Sequence, residues 1–148
     1  MKLRDIMTSE LCCAEPSDSL ADVSGEMKRH NVGIMPVCHD GQLLGVVTDR
    51  DIVVECVASG TRPEECKVGN FMTSGLVCGS PDMDVVEAAR LMGREQVHRL
   101  PVVENGRLVG MVSIGDMAIH CKDDKVVAQM LREISMPVRS MGTEALAA

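Results

Sequence analysis

Apolar positions along the chain alternate between two periods. Leu20, Val23 and Met27 fall at i, i+3 and i+7, and Val85, Ala88, Ala89 and Met92 repeat that spacing. Each set places one apolar stripe on an amphipathic helix. Ser17 or Asp18 is available as N-cap of the first helix. A short apolar run (residues 11–14 and 76–79) and a Ser/Pro/Asp cluster precede each helix. Two strand-like runs follow it: residues 33–38 and 43–48 around Asp40-Gly41, then residues 99–103 and 108–113 around Asn105-Gly106. Asp-Gly and Asn-Gly predict tight hairpins, because both central residues of a type I′ turn need positive φ. Second helices are expected over residues 49–58 and 114–121. Each half then reads β-α-β-β-α, its first strand parallel to the second through a right-handed crossover. A further helix is predicted over residues 123–135, where Val126, Val127, Met130, Leu131 and Ile134 form a stripe and Pro137 closes it.

The two halves are one pattern written twice at a constant offset of 65 positions. Met7-Thr8-Ser9 recurs as Met72-Thr73-Ser74, Pro36-Val37 as Pro101-Val102, Gly45 as Gly110 and Asp51 as Asp116. Such a tandem implies a pseudo-twofold arrangement with two equivalent clefts between the halves. The fold class expected is α+β. The expected organisation is a first repeat over residues 1–59, a linker over 60–67 and a second repeat over 68–121. A C-terminal helix (122–136) and an irregular tail (137–148) complete it. Each repeat, at about 50 residues, buries too little apolar surface to be comfortably stable alone.

Composition narrows the chemistry. Phe71 is the only aromatic residue, so aliphatic side chains and the 12 Met fill the interior and would have to sandwich any planar ligand. The formal net charge of −7 argues against nucleic-acid binding. No apolar stretch approaches membrane-spanning length and the N-terminus has no apolar signal region, so the expectation is a cytoplasmic protein without a membrane partner. The seven cysteines form no Cys-x-x-Cys pair, and their odd number speaks against a disulfide framework. Cys38-His39 and His120-Cys121 are adjacent pairs with poor chelating spacing, so no metal site is expected. No nucleophile–base constellation is visible, and no catalytic residue is assigned.

The most specific local signal is Gly45-Val46-Val47-Thr48-Asp49-Arg50-Asp51, matched by Gly110-Met111-Val112-Ser113-Ile114-Gly115-Asp116. A hydroxyl sits where strand becomes helix, and a carboxylate follows one turn later. The helix start suits an anion, and the carboxylate suits the two hydroxyls of a ribose. Thr-x-x-Asp is also a capping box, in which both side chains only satisfy helix-end donors. Duplication in register, behind a glycine that lets another group approach the backbone, tips the balance toward binding.

These motifs, with the Asp-Ile-Met-Thr start and the Pro-Val after the first helix, resemble the cystathionine-β-synthase (CBS) domain over residues 3–120; the tandem is similar to a Bateman module. The resemblance implies a three-stranded sheet and two helices per repeat, a homodimer, and regulatory binding of an adenosyl ligand. It further implies clefts built crosswise. Thr48 and Asp51 would hold phosphate and ribose while Thr73, Val97, His98 and Arg99 frame the base end; Ser113 and Asp116 would do the same opposite Thr8, Val32, Gly33 and Ile34. Arg50, Arg99 and His98 make the first cleft the better host for an anion. The expected function is a non-enzymatic sensor of AMP, ADP or ATP, requiring no cofactor and reporting to an effector protein not named by the sequence. Two alternatives are a structural dimerisation module with empty clefts and a thiol-redox sensor through Cys13 and Cys38, which fall on strands predicted to be neighbours.

Overall fold

A computed structural model of the chain describes residues 1–137. The expected tail beyond Pro137 lies outside the described residues. Helix α1 (Leu20–His30), strands β1 (Ile34–His39) and β2 (Gln42–Thr48) and a short helix α2 (Asp49–Asp51) arise from the first repeat. Helix α3 (Val85–Glu95), strands β3 (Arg99–Glu104) and β4 (Arg107–Ser113) and helix α4 (Ile114–His120) arise from the second, and α5 (Asp124–Ser135) ends the described chain. The mixed α and β elements are those the periodicities predict.

Several local details differ from the sequence reading. The N-cap of α1 is Ser19, whose hydroxyl accepts from the Asp22 N–H. The Asp18 carboxylate instead accepts from Glu15 N–H at 2.9 Å, closing the preceding turn. The first strand of each repeat shrinks to one parallel bridge, Ala14 with Val37 and Gly79 with Val102. Pro16 and Pro81 follow closely and lack the N–H a longer ladder needs. Beyond Asp51 the helix widens into a π-helix over Ile52–Val57, leaving Val53 and Val57 more than half exposed. The hairpin turns behave as expected: Asp40 and Gly41 have φ of 50° and 81°, and Asn105 and Gly106 have 54° and 79°.

The described chain divides into two compact units that do not coincide with the repeats. Unit I comprises Met1–Ser9, Val77–Val102 and the described residues from Val109 onward; unit II comprises Glu10–Leu76 and Val103–Leu108. Each repeat's leading segment therefore belongs with the other repeat's body. In unit I, Leu3 N–H donates to Met83 O at 2.9 Å and Arg4 N–H to Pro81 O at 3.0 Å, and Thr8 bridges Met111 in both directions. Unit II makes the same bonds at the equivalent positions, with the two repeats exchanging roles: Val68 N–H to Asp18 O, Gly69 N–H to Pro16 O, and Thr73 with Val46. Unit II also takes the tip of the second hairpin. There, at the hairpin tips, Gln42 pairs antiparallel with Arg107.

Each unit has its own apolar core. Unit I buries Leu3, Val85, Ala88, Met92, Leu100 and Val112, extended by Met117 and Met130. Unit II buries Leu20, Val23, Met35, Val37, Val47 and Val68, with Phe71 against its margin. Leu3 and Val68, the equivalent positions of the two leading segments, have no exposed surface at all. Helix α5 packs on α3, and a Cβ on Gly93 would lie 3.1 Å from the Met130 Cα, so the glycine sets the close approach. Its stripe is largely used in that contact: Val126 and Met130 are buried, while Leu131 stays 41% exposed.

Candidate functional site

The duplicated glycine of the motif has a definite structural task. A Cβ on Gly45 would sit 2.6 Å from the Thr73 carbonyl oxygen, and one on Gly110 would strike the Met7 side chain. Glycine makes room for the leading segment that crosses in from the other repeat. That segment in turn brings Thr73 beside the end of β2, and Thr8 beside the end of β4, through the backbone pairs Thr73–Val46 and Thr8–Met111. Thus unit II assembles Thr48, Arg50, Asp51 and Thr73, and unit I assembles Ser113, Asp116 and Thr8.

Both hydroxyl–carboxylate pairs form capping boxes. Thr48 Oγ1 accepts from Asp51 N–H at 3.1 Å, and Asp51 Oδ2 accepts from Thr48 N–H at 2.9 Å. Ser113 and Asp116 make the same exchange at 3.1 and 2.8 Å. The capping expectation is therefore met in full, and it fixes both rotamers. It does not consume the carboxylates: one oxygen of each takes the cap, and Oδ1 of Asp51 carries no protein hydrogen bond among the described residues. Asp51 and Asp116 are half-buried, Thr8 and Thr73 exposed. A carboxylate clamped through one oxygen is a rigid acceptor through the other.

The remaining sequence candidates fall next to these elements. In unit II, Ile34 pairs with Thr48 across the β1–β2 ladder, and Asp49 N–H donates to Gly33 O at 2.9 Å. Val32 precedes them at the exposed C-terminal end of α1. In unit I, Val97 is half-buried against the core, Arg99 opens β3 with an exposed side chain, and Ile114 N–H donates to His98 O at 3.0 Å. The chain thus holds Val32, Gly33 and Ile34 in one unit with Thr48, and Val97, His98 and Arg99 in one unit with Ser113.

One residue escaped the sequence reading. The Asp49 carboxylate lies over Gly33, where a Cβ would meet its Oδ2 at 2.9 Å, and its Oδ1 accepts from Arg50 N–H. An open cavity of about 300 Å³ is lined by Asp49, Arg50, Val53 and Val54. In the second repeat Ile114 stands at the position of Asp49 and His98 at that of Gly33, so the two motif ends differ in charge. The signal in the sequence was the doubled acid of Thr-Asp-Arg-Asp.

The thiol pair Cys13 and Cys38 does come together. Burial first, then the charge and hydrogen bond of Cys13, pushes the Cys38 thiol up to about 12. All seven cysteines are free thiols.

Comparison with known proteins bears on the whole motif set. The chain matches the CBS domain family twice, over residues 3–57 and 68–122. It is 36% identical over 133 residues to the CBS domain-containing protein YhcV of Bacillus subtilis, covering 90% of this chain and 94% of that protein. It is 32% identical over 136 residues to hypoxic response protein 1 of Mycobacterium tuberculosis, covering 91% and 94%. A crystal structure of hypoxic response protein I with two coordinated zinc ions superposes with a TM-score of 0.74 at 32% identity, over 81% of this chain and 98% of that one. The hexameric CBS-CP12 protein from bloom-forming cyanobacteria gives 0.72 at 26% identity, over 84% and 73%. Among the described residues no helix is long and apolar enough to cross a membrane.

Proposed function

The chain belongs to the CBS domain family, and from that premise we propose that it is a non-enzymatic regulatory module that binds an adenosyl ligand, AMP, ADP or ATP, at its two Gly-x-x-Thr/Ser-x-x-Asp elements. The observation that supports this most is the half-used carboxylate. Asp51 and Asp116 are each locked by a cap through Oδ2, with a second oxygen left to accept from ribose hydroxyls. Thr73 and Thr8 are docked two residues from the capping hydroxyls and add a donor–acceptor each. Arg50 and Arg99, both exposed, supply guanidinium groups for phosphate, and His98 stands beside Arg99. Binding here signals to an effector protein in the cytoplasm; it drives no reaction in this chain.

Isothermal titration with adenosine, AMP, ADP and ATP, alongside mass spectrometry of ligands retained through native purification, tests this reading. Arg99→Ala will lower affinity for the phosphorylated ligands by roughly 1.5–3 kcal/mol, the worth of a charge-assisted hydrogen bond, and leave adenosine nearly unchanged. Equal losses for adenosine and its phosphates would mean that Arg99 shapes the pocket instead of reading charge. No heat with any of the four, and none retained, would sink the proposal in favour of a structural module.

We propose further that the protein works as a homodimer. Val53, Val54 and Val57 are 57%, 43% and 56% exposed on the π-helix of unit II, and Ile119 is 76% exposed on α4 of unit I. Light scattering at micromolar concentration is expected to give twice the 15.9 kDa chain mass; a monomer removes the idea. The thiol-redox reading has the Cys13–Cys38 proximity in its favour. The raised Cys38 pKa counts against it, because the thiolate is the reactive form.

A further inference from the structure

Unit II holds a cluster that the adenosyl reading leaves unused. Glu26 and His30 are one turn apart on α1, and Cys12 reaches them from the extended run before the helix. Cys12 Sγ lies 3.5 Å from Glu26 Oε2, and His30 Nε2 lies 3.2 Å from the same oxygen. The three donor atoms are all within 4.8 Å of one another. Tetrahedral zinc, at roughly 2.0 Å from N or O and 2.3 Å from S, separates neighbouring ligand atoms by about 3.3–3.6 Å. Both separations from Glu26 Oε2 already lie close to those values, and the Cys12 and His30 donor atoms stand within 4.8 Å of each other, so side-chain adjustment would close the set around a metal. Arg29 Nη1 donates to the other carboxylate oxygen, Oε1, at 2.6 Å, which orients Glu26 in the way that outer-sphere partners orient metal ligands.

The internal repeat supplies a second, independent observation. At the same offset the second repeat has Val77, Leu91 and Glu95. Val77 and Leu91 pack as apolar side chains against the unit I core. The fold at these positions takes hydrophobic contact; Cys12 keeps it, packed against the unit II core, while Glu26 brings a carboxylate to it. A thiol and a carboxylate, both half-buried, stand where the twin has aliphatic groups, and the His30 imidazole stands where the twin has Glu95.

We propose that Cys12, Glu26 and His30 form a binding site for zinc or a similar borderline divalent cation. The donor set suits it: thiolate plus imidazole selects zinc-like metals over magnesium or calcium, which want oxygen alone. Three protein ligands leave a fourth position for water or an incoming donor. The site is independent of the nucleotide reading, because none of its residues belongs to the Thr48–Asp51 element.

The test uses the reduced, metal-free full chain. Zinc is titrated in competition with a chromophoric chelator, and cobalt(II) is added in parallel to read thiolate ligation from its charge-transfer absorption. One equivalent per chain is expected, with a tetrahedral cobalt spectrum. Cys12→Ser should abolish the charge-transfer band, and Cys12→Ser and His30→Gln should each weaken zinc by at least about tenfold. Cys13→Ser, at the neighbouring thiol, should change neither. His30 is solvent-exposed, so its variant will fold even if the Cys12 variant does not, and circular dichroism checks both. Wild-type affinity in folded His30→Gln, a charge-transfer band surviving in Cys12→Ser, or loss of binding in Cys13→Ser would each overturn the assignment.

Discussion

Leu3→Ala lowers the free energy of unfolding by about 2–5 kcal/mol, a large fraction of what a domain of this size possesses. Leu3 lies in the segment ahead of α1, outside the α-helices and β-strands. Here the leading segment is part of a core. Leu3 has no exposed surface and packs with Val85, Ala88, Met92 and Leu100 in unit I. The backbone of its segment is held as well, by Leu3 N–H to Met83 O and Val85 N–H to Met1 O, both 2.9 Å. A cavity left at Leu3 cannot be refilled without moving those pairs. Urea denaturation checks the prediction through the midpoint at constant slope. Val68→Ala, the equivalent change in unit II, should destabilise by a smaller amount because Val loses less side chain. A shift below about 0.5 kcal/mol for Leu3→Ala would mean that the exchanged segment is peripheral.

The second large effect is on binding. Asp51→Ala will weaken the adenosyl ligand by roughly 1.5–3 kcal/mol, the usual cost of removing hydrogen bonds to a charged acceptor. The same substitution breaks one arm of the capping box, since Asp51 Oδ2 accepts from Thr48 N–H, and this lowers stability by about 1 kcal/mol. Two measurements separate the roles. Calorimetry reads the affinity and thermal unfolding reads the cap. A lowered melting temperature with unchanged affinity assigns Asp51 to helix capping alone.

Much of this molecule was legible in the chain. The hairpins followed from Asp40-Gly41 and Asn105-Gly106, because few residues other than Gly, Asn and Asp accept the positive φ the turns require. The helices followed from the 3.6-residue stripes, which is why Leu20, Val23 and Met27 all proved buried. Both capping boxes were readable from Thr-x-x-Asp and Ser-x-x-Asp. The N-cap at Ser19 was missed because Ser17, Asp18 and Ser19 are all competent, and the choice depends on how Asp18 is spent closing the preceding turn.

Local pattern determined which residues turn inward; only tertiary structure decided into which core they turn. The two repeats present nearly the same apolar surface, so the Leu3 segment fits the body of either one as far as periodicity can tell. Its pairing with Met83 and Thr8's pairing with Met111 depend on long-range closure, as does the approach of Thr73 to Gly45. The Cys12, Glu26 and His30 cluster was invisible for the same reason. Fourteen residues and a turn separate Cys12 from Glu26, and no spacing rule joins a strand-like run to a helix face until the chain has folded back on itself.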